Sequence, residues 1–483
     1  MKRFFTRITH ILWVLLFLLL PLTSFPLIAK MVPGAMVAVP SGLIAILLAI
    51  FWLLPQIWGG KSLPKYTLPL LIFALIGVIS TVIGYWREIP PYKSINPLNE
   101  NIASILTLIM GLAFYFVVLM YLRENPKKED FRFVLRLITY SGILIFIKSA
   151  VEIILWNSIR GYPQWFVDLH KMLVTGPLFG GRISAFAYEP SWLANQMNLI
   201  YLPYWLASSL TRWSAFNKRL WKFQIEDACL LLGAATLFFT VSRIGYLGFI
   251  AMLGLILLRA TILFIPWVHK RISARGSSFL KSALRAGIYL SVALVYAILF
   301  FGAAFALRQL DYRNEDIFNF SLAFANPMKY AENLSFGPRV SYWLGGWNLF
   351  NRYPLLGVGL GNAGFYFPKA LPAYAWRLVE VRQLFFHSTT LLNVKSLWFR
   401  ILGEAGICGF AAFATFLVLM LCLALALMKK EGRMSKFFGF FGLFALVAIV
   451  FEGFSVDSFA LPYFWVSAGL ISAGYEFIAK KSS

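Results

Sequence analysis

The sequence predicts an all-α polytopic membrane protein with about twelve transmembrane helices. Of its 483 residues, 60% are hydrophobic and 13% are charged, whereas a soluble domain has roughly 25% charged residues. Apolar stretches of about 20 residues, the length that crosses a bilayer, recur along the whole chain. Basic residues concentrate in every second loop, as the positive-inside rule requires. These patterns exclude a soluble, disordered or disulfide-stabilised protein.

Each predicted span is an apolar run bounded by polar residues, proline or glycine. The twelve spans cover residues 11–29, 37–58, 66–85, 102–122, 133–156, 186–209, 227–242, 244–267, 286–307, 397–428, 437–455 and 458–478.

The distribution of basic residues along the chain predicts its orientation in the membrane. With both termini in the cytoplasm, more than half of the 44 Lys and Arg residues fall in cytoplasmic loops, and the short outer loops hold few of them. The net charge of +24 is therefore explained by topology, and we expect no nucleic-acid partner.

The loops and spans predict four regions. Residues 1–156 hold spans one to five, and 157–307 hold spans six to nine together with a first external motif loop. Residues 308–396 form a large external loop, in which we expect amphipathic helices, and 397–483 hold the last three spans. Loops of this length in a compact protein are usually functional.

The first motif is GRISAFAYEPSWLANQ, at 181–196. Glu189 and Pro190 are typical of a helix start, since proline has no amide to leave unbonded and an acidic group suits the positive helix end. The motif is therefore either a simply capped span, or a functional carboxylate held near Arg182 at membrane depth, where ionisable residues usually serve function.

The second motif is TVSRIG, at 240–245. Two spans share the 41 or so residues around Arg243, which barely suffices for two crossings of a ~30 Å apolar layer. Arg243 is therefore close to that layer, either as a snorkelling side chain or as a ligand-binding one.

The third motif covers 336–365 and starts with a helical segment bracketed by Arg339 and Arg352. Its apolar residues share one face, which predicts an amphipathic helix lying on the membrane or roofing the spans; they are Val340, Trp343, Leu344, Trp347 and Phe350. The glycine run that follows, at 357–364, has no preceding strand and is a poor nucleotide fingerprint. We interpret it as a tight turn or an anion-binding nest.

The fourth motif, at 387–410, leads into span ten and contains His387, Lys395, Arg400 and Glu404. Two of the four histidines, His170 and His387, lie on the predicted outer side. A lone histidine is more often structural than catalytic, so His387 is a candidate with that alternative open.

Several outward-facing arginines with a carboxylate and a histidine suggest a phosphate-bearing substrate, because the guanidinium fork pairs with phosphate oxygens. An external site has no ATP, so the substrate must arrive activated. A sugar on a lipid diphosphate meets this requirement. Carboxylates that could hold a metal are sparse, and we expect neither a metal nor another cofactor.

The ordered motifs resemble the O-antigen ligase/polymerase superfamily of integral membrane glycosyltransferases. The matching positions are Arg182 with Glu189-Pro190-Ser191 and Ala194; Thr240 with Ser242 and Arg243; Arg339 with Pro354, Gly357 and Gly359; and Glu404 with Gly406 and Gly409.

The resemblance implies a GT-C-type helical fold in the bacterial inner (plasma) membrane and an undecaprenyl-diphosphate-linked oligosaccharide as donor. It also implies a glycan or lipid-linked acceptor and catalysis without metal, and a chain-length regulator or export proteins would be partners. The arginines Arg182, Arg243 and Arg339 would bind the pyrophosphate. Many members carry a histidine where this chain has Lys395, which we therefore assign to the pyrophosphate as well.

Two candidates remain for the base. A carboxylate next to an arginine and at a helix start is a weak base, whereas histidine titrates near neutrality. We favour His387 as base and Glu189 as an orienting carboxylate. The EPS sequence at 189–191 favours a polysaccharide polymerase over a ligase.

A lipid-linked oligosaccharide flippase or a polysaccharide exporter is the competing class, since twelve spans with both ends inside fit it equally well. A transporter would place charges in midspan across both halves, whereas here the motif charges cluster at one face.

Overall fold

The computed structural model describes residues 2–31, 37–124, 126–216, 219–221, 223–273, 278–310, 316, 319–334 and 336–480. Helices make up 77% of it and the prediction of an all-α polytopic membrane fold is confirmed. Among these residues, strands are limited to one short antiparallel pair, β1 (Arg219–Leu220) and β2 (Phe223–Gln224).

The N-terminal half contains α1 (Lys2–Leu18), α2 (Pro26–Met31), α3 (Pro40–Leu48), α4 (Leu54–Trp58), α5 (Leu68–Trp86), α6 (Pro97–Glu124), α7 (Lys128–Ile159), α8 (Gln164–Leu173), α9 (Pro190–Gln196), α10 (Leu202–Thr211) and α11 (Ile225–Phe239). A π-helical turn joins α3 to α4 (Ala49–Leu53), and another joins α9 to α10 (Met197–Tyr201). A 3₁₀ turn, Lys65–Thr67, precedes α5.

The remaining helices are α12 (Arg243–Ser273), α13 (Ser278–Leu310), α14 (Phe320–Ala325), α15 (Pro327–Asn333), α16 (Gly337–Arg352), α17 (Ala363–Ala370), α18 (Val379–Arg382), α19 (Leu397–Lys429), α20 (Arg433–Glu452) and α21 (Pro462–Lys480). A 3₁₀ turn, Ala373–Arg377, precedes α18, and a π-helical turn, Gln383–His387, follows it.

Each of the twelve predicted spans overlaps one or two of these helices. Within the described ranges, seven helices are long and apolar enough to cross a membrane: Pro40–Trp58, Lys65–Trp86, Pro97–Glu124, Lys128–Ile159, Arg243–Lys270, Leu397–Lys429 and Arg433–Glu452. The number of crossings stays a prediction.

The ends of two predicted spans differ from the helices. The first span was expected at 11–29, but α1 ends at Leu18 and a turn carries the chain past Pro21 to α2. Proline lacks the amide that a continuing helix needs. Near the C-terminus, a nine-residue loop at 453–461 separates α20 from α21.

The chain divides into two compact units. Unit 1 contains Met1–Gly248 and Arg339–Ser483, and unit 2 contains Phe249–Pro338. Unit 2 holds most of α12 together with α13, α14 and α15. All the motif residues that we singled out as candidates lie in unit 1.

Small residues allow the helices of unit 1 to pack closely. Helix α21 packs along α6, and α19 packs against α5 and α20. A Cβ on Gly442 would lie 2.8 Å from that of Ala424, and a Cβ on Gly469 would lie 2.9 Å from the Tyr115 carbonyl oxygen. Close approach at small residues is what drives helix association in a bilayer, where burial of apolar surface gives little.

Helix α19 is interrupted at Gly406, whose φ of 65° and ψ of −166° are not helical. The amides of Ile407 and Cys408 donate instead to the carbonyls of Pro354 and Leu355, over 2.8 and 3.2 Å. A break in a buried helix is tolerated when other parts of the protein satisfy the backbone. The third motif therefore inserts into the helix break of the fourth.

This insertion predicts that Gly406→Ala destabilises the protein strongly. A Cβ at Gly406 would lie 2.3 Å from the Leu355 carbonyl oxygen, which adds a steric cost of about 1–3 kcal/mol to backbone strain of similar size. Gly432→Ala is the matched control, because Gly432 also has a positive φ, of 101°, but its Cβ would meet nothing within 4 Å. Thermal unfolding of purified protein should show a clearly larger drop in Tm for Gly406→Ala. Equal drops would show that the insertion is not tightly packed.

Candidate active site

Arg182 links the first motif to the second. Its Nε donates to the Thr240 carbonyl over 3.0 Å and one terminal nitrogen donates to the Val241 carbonyl over 3.4 Å. The two residues belong to the turn between α11 and α12, and Val241 has a left-handed φ of 50°. Because Arg243 begins α12, these hydrogen bonds tie Arg182 to the turn that carries Arg243.

Glu189 lies where the sequence predicts, immediately before α9. It has extended backbone angles, and Pro190 is the first residue of the helix. The Glu189 side chain is half-buried and accepts a hydrogen bond from the Ser191 hydroxyl. The carboxylate is therefore oriented by its own helix start. No ion pair joins Glu189 to Arg182 in the described part of the chain.

The helix that begins at Glu189 is tied to α20 by asparagines. Glu452, the last residue of α20, is 1% exposed and accepts hydrogen bonds from the amides of Asn198, over 2.6 Å, and Asn195, over 3.4 Å. Asn198 also donates to the Gly245 carbonyl over 2.7 Å. One buried cluster thus connects α9 and its π-helical turn, the start of α12, and the end of α20.

The third and fourth motifs attach to the loop that follows Glu452. We call residues 452–461, which comprise Glu452 and this loop, the connector. The Arg339 guanidinium donates to the Ser455 hydroxyl over 3.3 Å. The Lys395 amide donates to the Asp457 carboxylate over 3.0 Å. Leu397, at the start of α19, donates its amide to the Gly453 carbonyl over 2.7 Å.

Arg400 and Glu404 form an ion pair inside unit 1. The Arg400 Nε lies 2.9 Å from a Glu404 oxygen, and both side chains are largely buried. Arg400 also donates to the Asp457 carbonyl over 2.7 Å and lies over the Phe459 ring, 4.8 Å from its centroid. The pair therefore fastens α19 to the connector, so we assign it to positioning.

The glycine run of the third motif is a tight turn, as one of our two interpretations proposed. Gly357, Gly359 and Gly361 all have positive φ. The Val358 and Gly359 amides donate to the carbonyls of Gly403 and Glu404, each over 2.9 Å. Because these amides already donate to carbonyl groups of the protein, they are not available to an anion, and the alternative of an anion-binding nest is wrong.

Helix α16 forms as predicted, but the other face is buried. The predicted apolar stripe of Val340, Trp343, Leu344, Trp347 and Phe350 is at best half-buried, and Trp347 is 41% exposed. The buried face consists of Ser341, Tyr342, Gly345, Gly346 and Leu349. Glycines let α16 approach α19, since a Cβ at Gly346 would lie 2.9 Å from the Phe399 carbonyl. The hydrophobic periodicity predicts the helix correctly, but close packing at the glycines determines which face is buried.

Lys395 and His387, which both precede α19, have different surroundings. The Lys395 ammonium lies 3.2 Å from a Glu380 oxygen and 5.0 Å from the centroid of the Tyr342 ring. His387 ends the π-helical turn after α18 and is exposed, and no hydrogen bond of its ring occurs within the described ranges. Lys395 is thus anchored beside the connector, whereas His387 is open to a ligand.

Sequence analysis missed Glu452, Ser455 and Asp457. Glu452 falls within the predicted span 437–455, and Asp457 lies between that span and the last one. The signal was available, since EGFSVDS at 452–458 places two carboxylates at the junction of two apolar runs. Ionisable groups at such a depth usually have a role.

His170, the other histidine that the sequence predicts on the outer side, belongs to a buried network next to the loop that carries Arg182. Lys148 lies 2.8 Å from Glu152 and 2.9 Å from the His170 Nδ1, and it also donates to the Ala185 carbonyl. Glu152 accepts the amides of Ser184 and Ala185. His170 Nε2 lies 2.8 Å from the Gly176 carbonyl. The network fixes the loop that carries Arg182, so His170 is structural.

Among the described residues, no group of three or more His, Cys, Asp or Glu side chains is arranged to hold a metal ion.

Part of the sequence is similar to a known family. A family model described as O-antigen ligase matches residues 228–414. Residues 228–414 are therefore similar to O-antigen ligases. This match confirms the resemblance to the O-antigen ligase/polymerase superfamily. No curated protein matches the chain.

The matched segment begins in α11 and ends in α19. It therefore contains Arg243, Arg339 and the Glu404-Ala-Gly406 break, whereas Arg182, Glu189 and the connector lie outside it. The protein is a multi-pass membrane enzyme of the glycosyltransferase type, and lipid-linked glycans are its class of substrate.

The network around His170 predicts a pH-dependent stability. Burial, with help from the Lys148 charge, lowers the pKa of His170 from its ordinary value near 6.5. In the unfolded chain the imidazole takes up a proton at a higher pH than in the folded protein, so stability falls as the pH drops through 6.5. Glutamine does not titrate, so His170→Gln should lose the part of the pH dependence that comes from the imidazole. The difference in Tm between pH 7 and pH 5.5 should therefore be smaller than in the wild type. His387→Gln, an exposed matched control, should behave as wild type; an unchanged Tm difference in His170→Gln would refute the assignment.

Proposed function

We propose that this protein polymerises glycan on the outer face of the bacterial inner membrane, using an undecaprenyl-diphosphate-linked oligosaccharide as donor. Polymerisation is favoured over ligation because of the EPS sequence at 189–191. The bond to be broken joins the anomeric carbon of the donor sugar to the diphosphate. The acceptor is a hydroxyl group of a second glycan, so each transfer lengthens the chain.

The observation that carries this proposal is the convergence of the motif arginines on one end of unit 1. Arg182 is bonded to the turn that leads into Arg243, and Asn198 links the start of α12 to Glu452. The Arg339 guanidinium donates a hydrogen bond to Ser455, which lies three residues after Glu452. Guanidinium groups assembled at the ends of apolar helices suit a diphosphate whose lipid tail stays in the membrane.

In the proposed mechanism, Arg182, Arg243 and Arg339 bind the pyrophosphate and stabilise the negative charge that develops as it departs. Lys395, just before α19, adds a further contact. With four cations to balance the leaving group, transfer needs no metal ion and no other cofactor.

Proton transfer is assigned to His387, with Glu189 in an orienting role. The acceptor hydroxyl oxygen attacks the anomeric carbon, the bond from that carbon to the diphosphate oxygen breaks, and the hydroxyl proton passes to the imidazole. Exposure of His387 and its lack of a hydrogen bond to the described protein support this role, because its ring nitrogen is open to the substrate. Glu189, oriented by Ser191, would accept a hydrogen bond from a sugar hydroxyl.

The orientation follows from the basic loops. With both termini in the cytoplasm, the connector and the motif residues lie at the outer face of the membrane, where the lipid-linked donor would be used. A chain-length regulator or export proteins would act as partners there. The same orientation places the basic start of α20 at the cytoplasmic end of the helix.

Arg243→Lys tests the pyrophosphate assignment. Lysine keeps the charge but lacks the planar fork, so transfer should fall by roughly a hundredfold, as for loss of one oxyanion-type donor. The measurement is glycan lengthening by purified protein in excess chelator, in which the wild type should stay active. Arg382→Lys, at an exposed arginine of the same external segment, is the matched control. Near-normal transfer by Arg243→Lys would assign Arg243 to snorkelling.

Alanine substitutions separate the two candidates for the base. His387→Ala should retain donor binding but lose transfer by about 100-fold or more, the usual contribution of general base catalysis. Glu189→Ala should weaken substrate binding with a smaller loss in maximal rate. The opposite pattern, with His387→Ala active and Glu189→Ala inactive, would transfer the base role to Glu189.

A further inference from the structure

A cavity in unit 1 lies at the opposite end of α20 from the candidate active site. It has a volume of about 970 Å³, within the range of small-molecule sites. Helix α20 has 20 residues, so its two ends are about 30 Å apart. The cavity is formed where α7 and α20 begin, where α21 ends, and where α10 gives way to the following loop. Its lining consists of Lys128, Arg132, Arg212, Trp213, Ser214, Lys430, Glu431, Gly432, Arg433, Met434, Ser435, Phe477 and Ile478.

The charge of this lining is strongly positive. Five cationic side chains face one carboxylate, Glu431. Arg132 and Arg212 are paired with Glu129 and Asp227, over 2.5 and 3.0 Å. The other three cations, Lys128, Lys430 and Arg433, are exposed and form no ion pair in the described part of the chain. The uncompensated charge would attract an anion.

A buried donor in the same lining supports a ligand independently of the charges. Trp213 is 5% exposed and packs on Phe437, with ring centroids 4.4 Å apart. Its indole N–H is buried and has no hydrogen-bond partner among the described residues. An unsatisfied buried donor is unfavourable and unusual in a native protein. A ligand oxygen at the Trp213 side of the cavity would satisfy it.

The lining is also amphipathic. Phe477, Ile478 and Met434 add apolar surface to the ring of cations. The cavity lies at the ends of helices that cross the membrane, next to the basic loops. Basic pockets between transmembrane helices at this position bind the headgroups of anionic lipids. A soluble phosphate would use the cations but would leave the apolar surface uncovered.

We propose that this cavity binds the phosphate headgroup of an anionic phospholipid. The phosphate oxygens accept from Lys430 and Arg433 and from the Trp213 N–H, and the glycerol and upper acyl chain cover Phe477 and Ile478. This site is separate from the proposed donor site, and it does not depend on the glycosyltransferase mechanism.

The test is native mass spectrometry of the full-length protein, delipidated in detergent and titrated with phosphatidylglycerol, phosphatidylcholine or inorganic phosphate. Phosphatidylglycerol should bind at least tenfold more tightly than phosphatidylcholine, because only the former carries net negative charge. The double variant Lys430→Gln, Arg433→Gln should lose affinity for phosphatidylglycerol by about fivefold per cation, or roughly thirtyfold in all. Because both side chains are exposed, the substitutions leave the fold intact.

The end of α19 and the first turn of α20 supply the matched control. Lys429→Gln with Lys436→Gln removes the same charge from exposed positions that do not line the cavity, and affinity should stay within about twofold of the wild type. Trp213→Phe keeps the stacking ring, removes the N–H and should weaken binding by about fivefold, the value of one hydrogen bond.

Three outcomes would overturn the proposal. Equal losses in the two double variants would show diffuse attraction to the basic surface. Unchanged affinity in Trp213→Phe would remove the N–H from the site. Displacement of phosphatidylglycerol by an equal concentration of inorganic phosphate would identify a soluble phosphate as the ligand instead of a lipid.

Discussion

Polar groups inside an apolar helical bundle must find their partners within the same chain, because lipid offers none. In unit 1, the connector at 452–461 provides many of them. Glu452 accepts from Asn195 and Asn198, and Asp457 accepts from the Lys395 amide. Each of these bonds joins segments that are far apart in sequence. The arrangement of the motif arginines depends on this one short segment, because their elements are held against it.

The same constraint explains why irregular backbone occurs at the site. Helix α19 breaks at Gly406, where carbonyls of Pro354 and Leu355 replace the missing helical bonds. A π-helical turn follows α9 at the residues that include Asn198. Irregular backbone inside a membrane protein survives only where protein or a cavity satisfies it. The hydrogen bonds that satisfy the irregular backbone also position the motif residues. The helix breaks are therefore part of the proposed site.

Hydropathy predicts the helices of this protein well, because a span of about 20 apolar residues is a local signal. The start of α9 at Pro190 was predicted for the same reason, since proline and an acidic N-cap act within one turn. The hydrogen bonds from Arg182 to Thr240 and from Arg339 to Ser455 could not be predicted, because they join residues 58 and 116 positions apart. The buried face of α16 was mispredicted because glycine counts little in hydrophobicity, yet Gly345 and Gly346 decide which face can approach its neighbours.

The central claim is that the motif arginines and the connector form a site for transfer from a lipid-linked donor. The most direct measurement incubates the purified full-length protein with a lipid-diphosphate oligosaccharide and follows both glycan length and release of the lipid diphosphate. The account predicts longer glycans that appear together with free lipid diphosphate, and predicts that Glu452→Gln reduces both alike. Translocation of intact donor across a vesicle membrane, with neither lengthening nor release, would contradict it and identify a flippase.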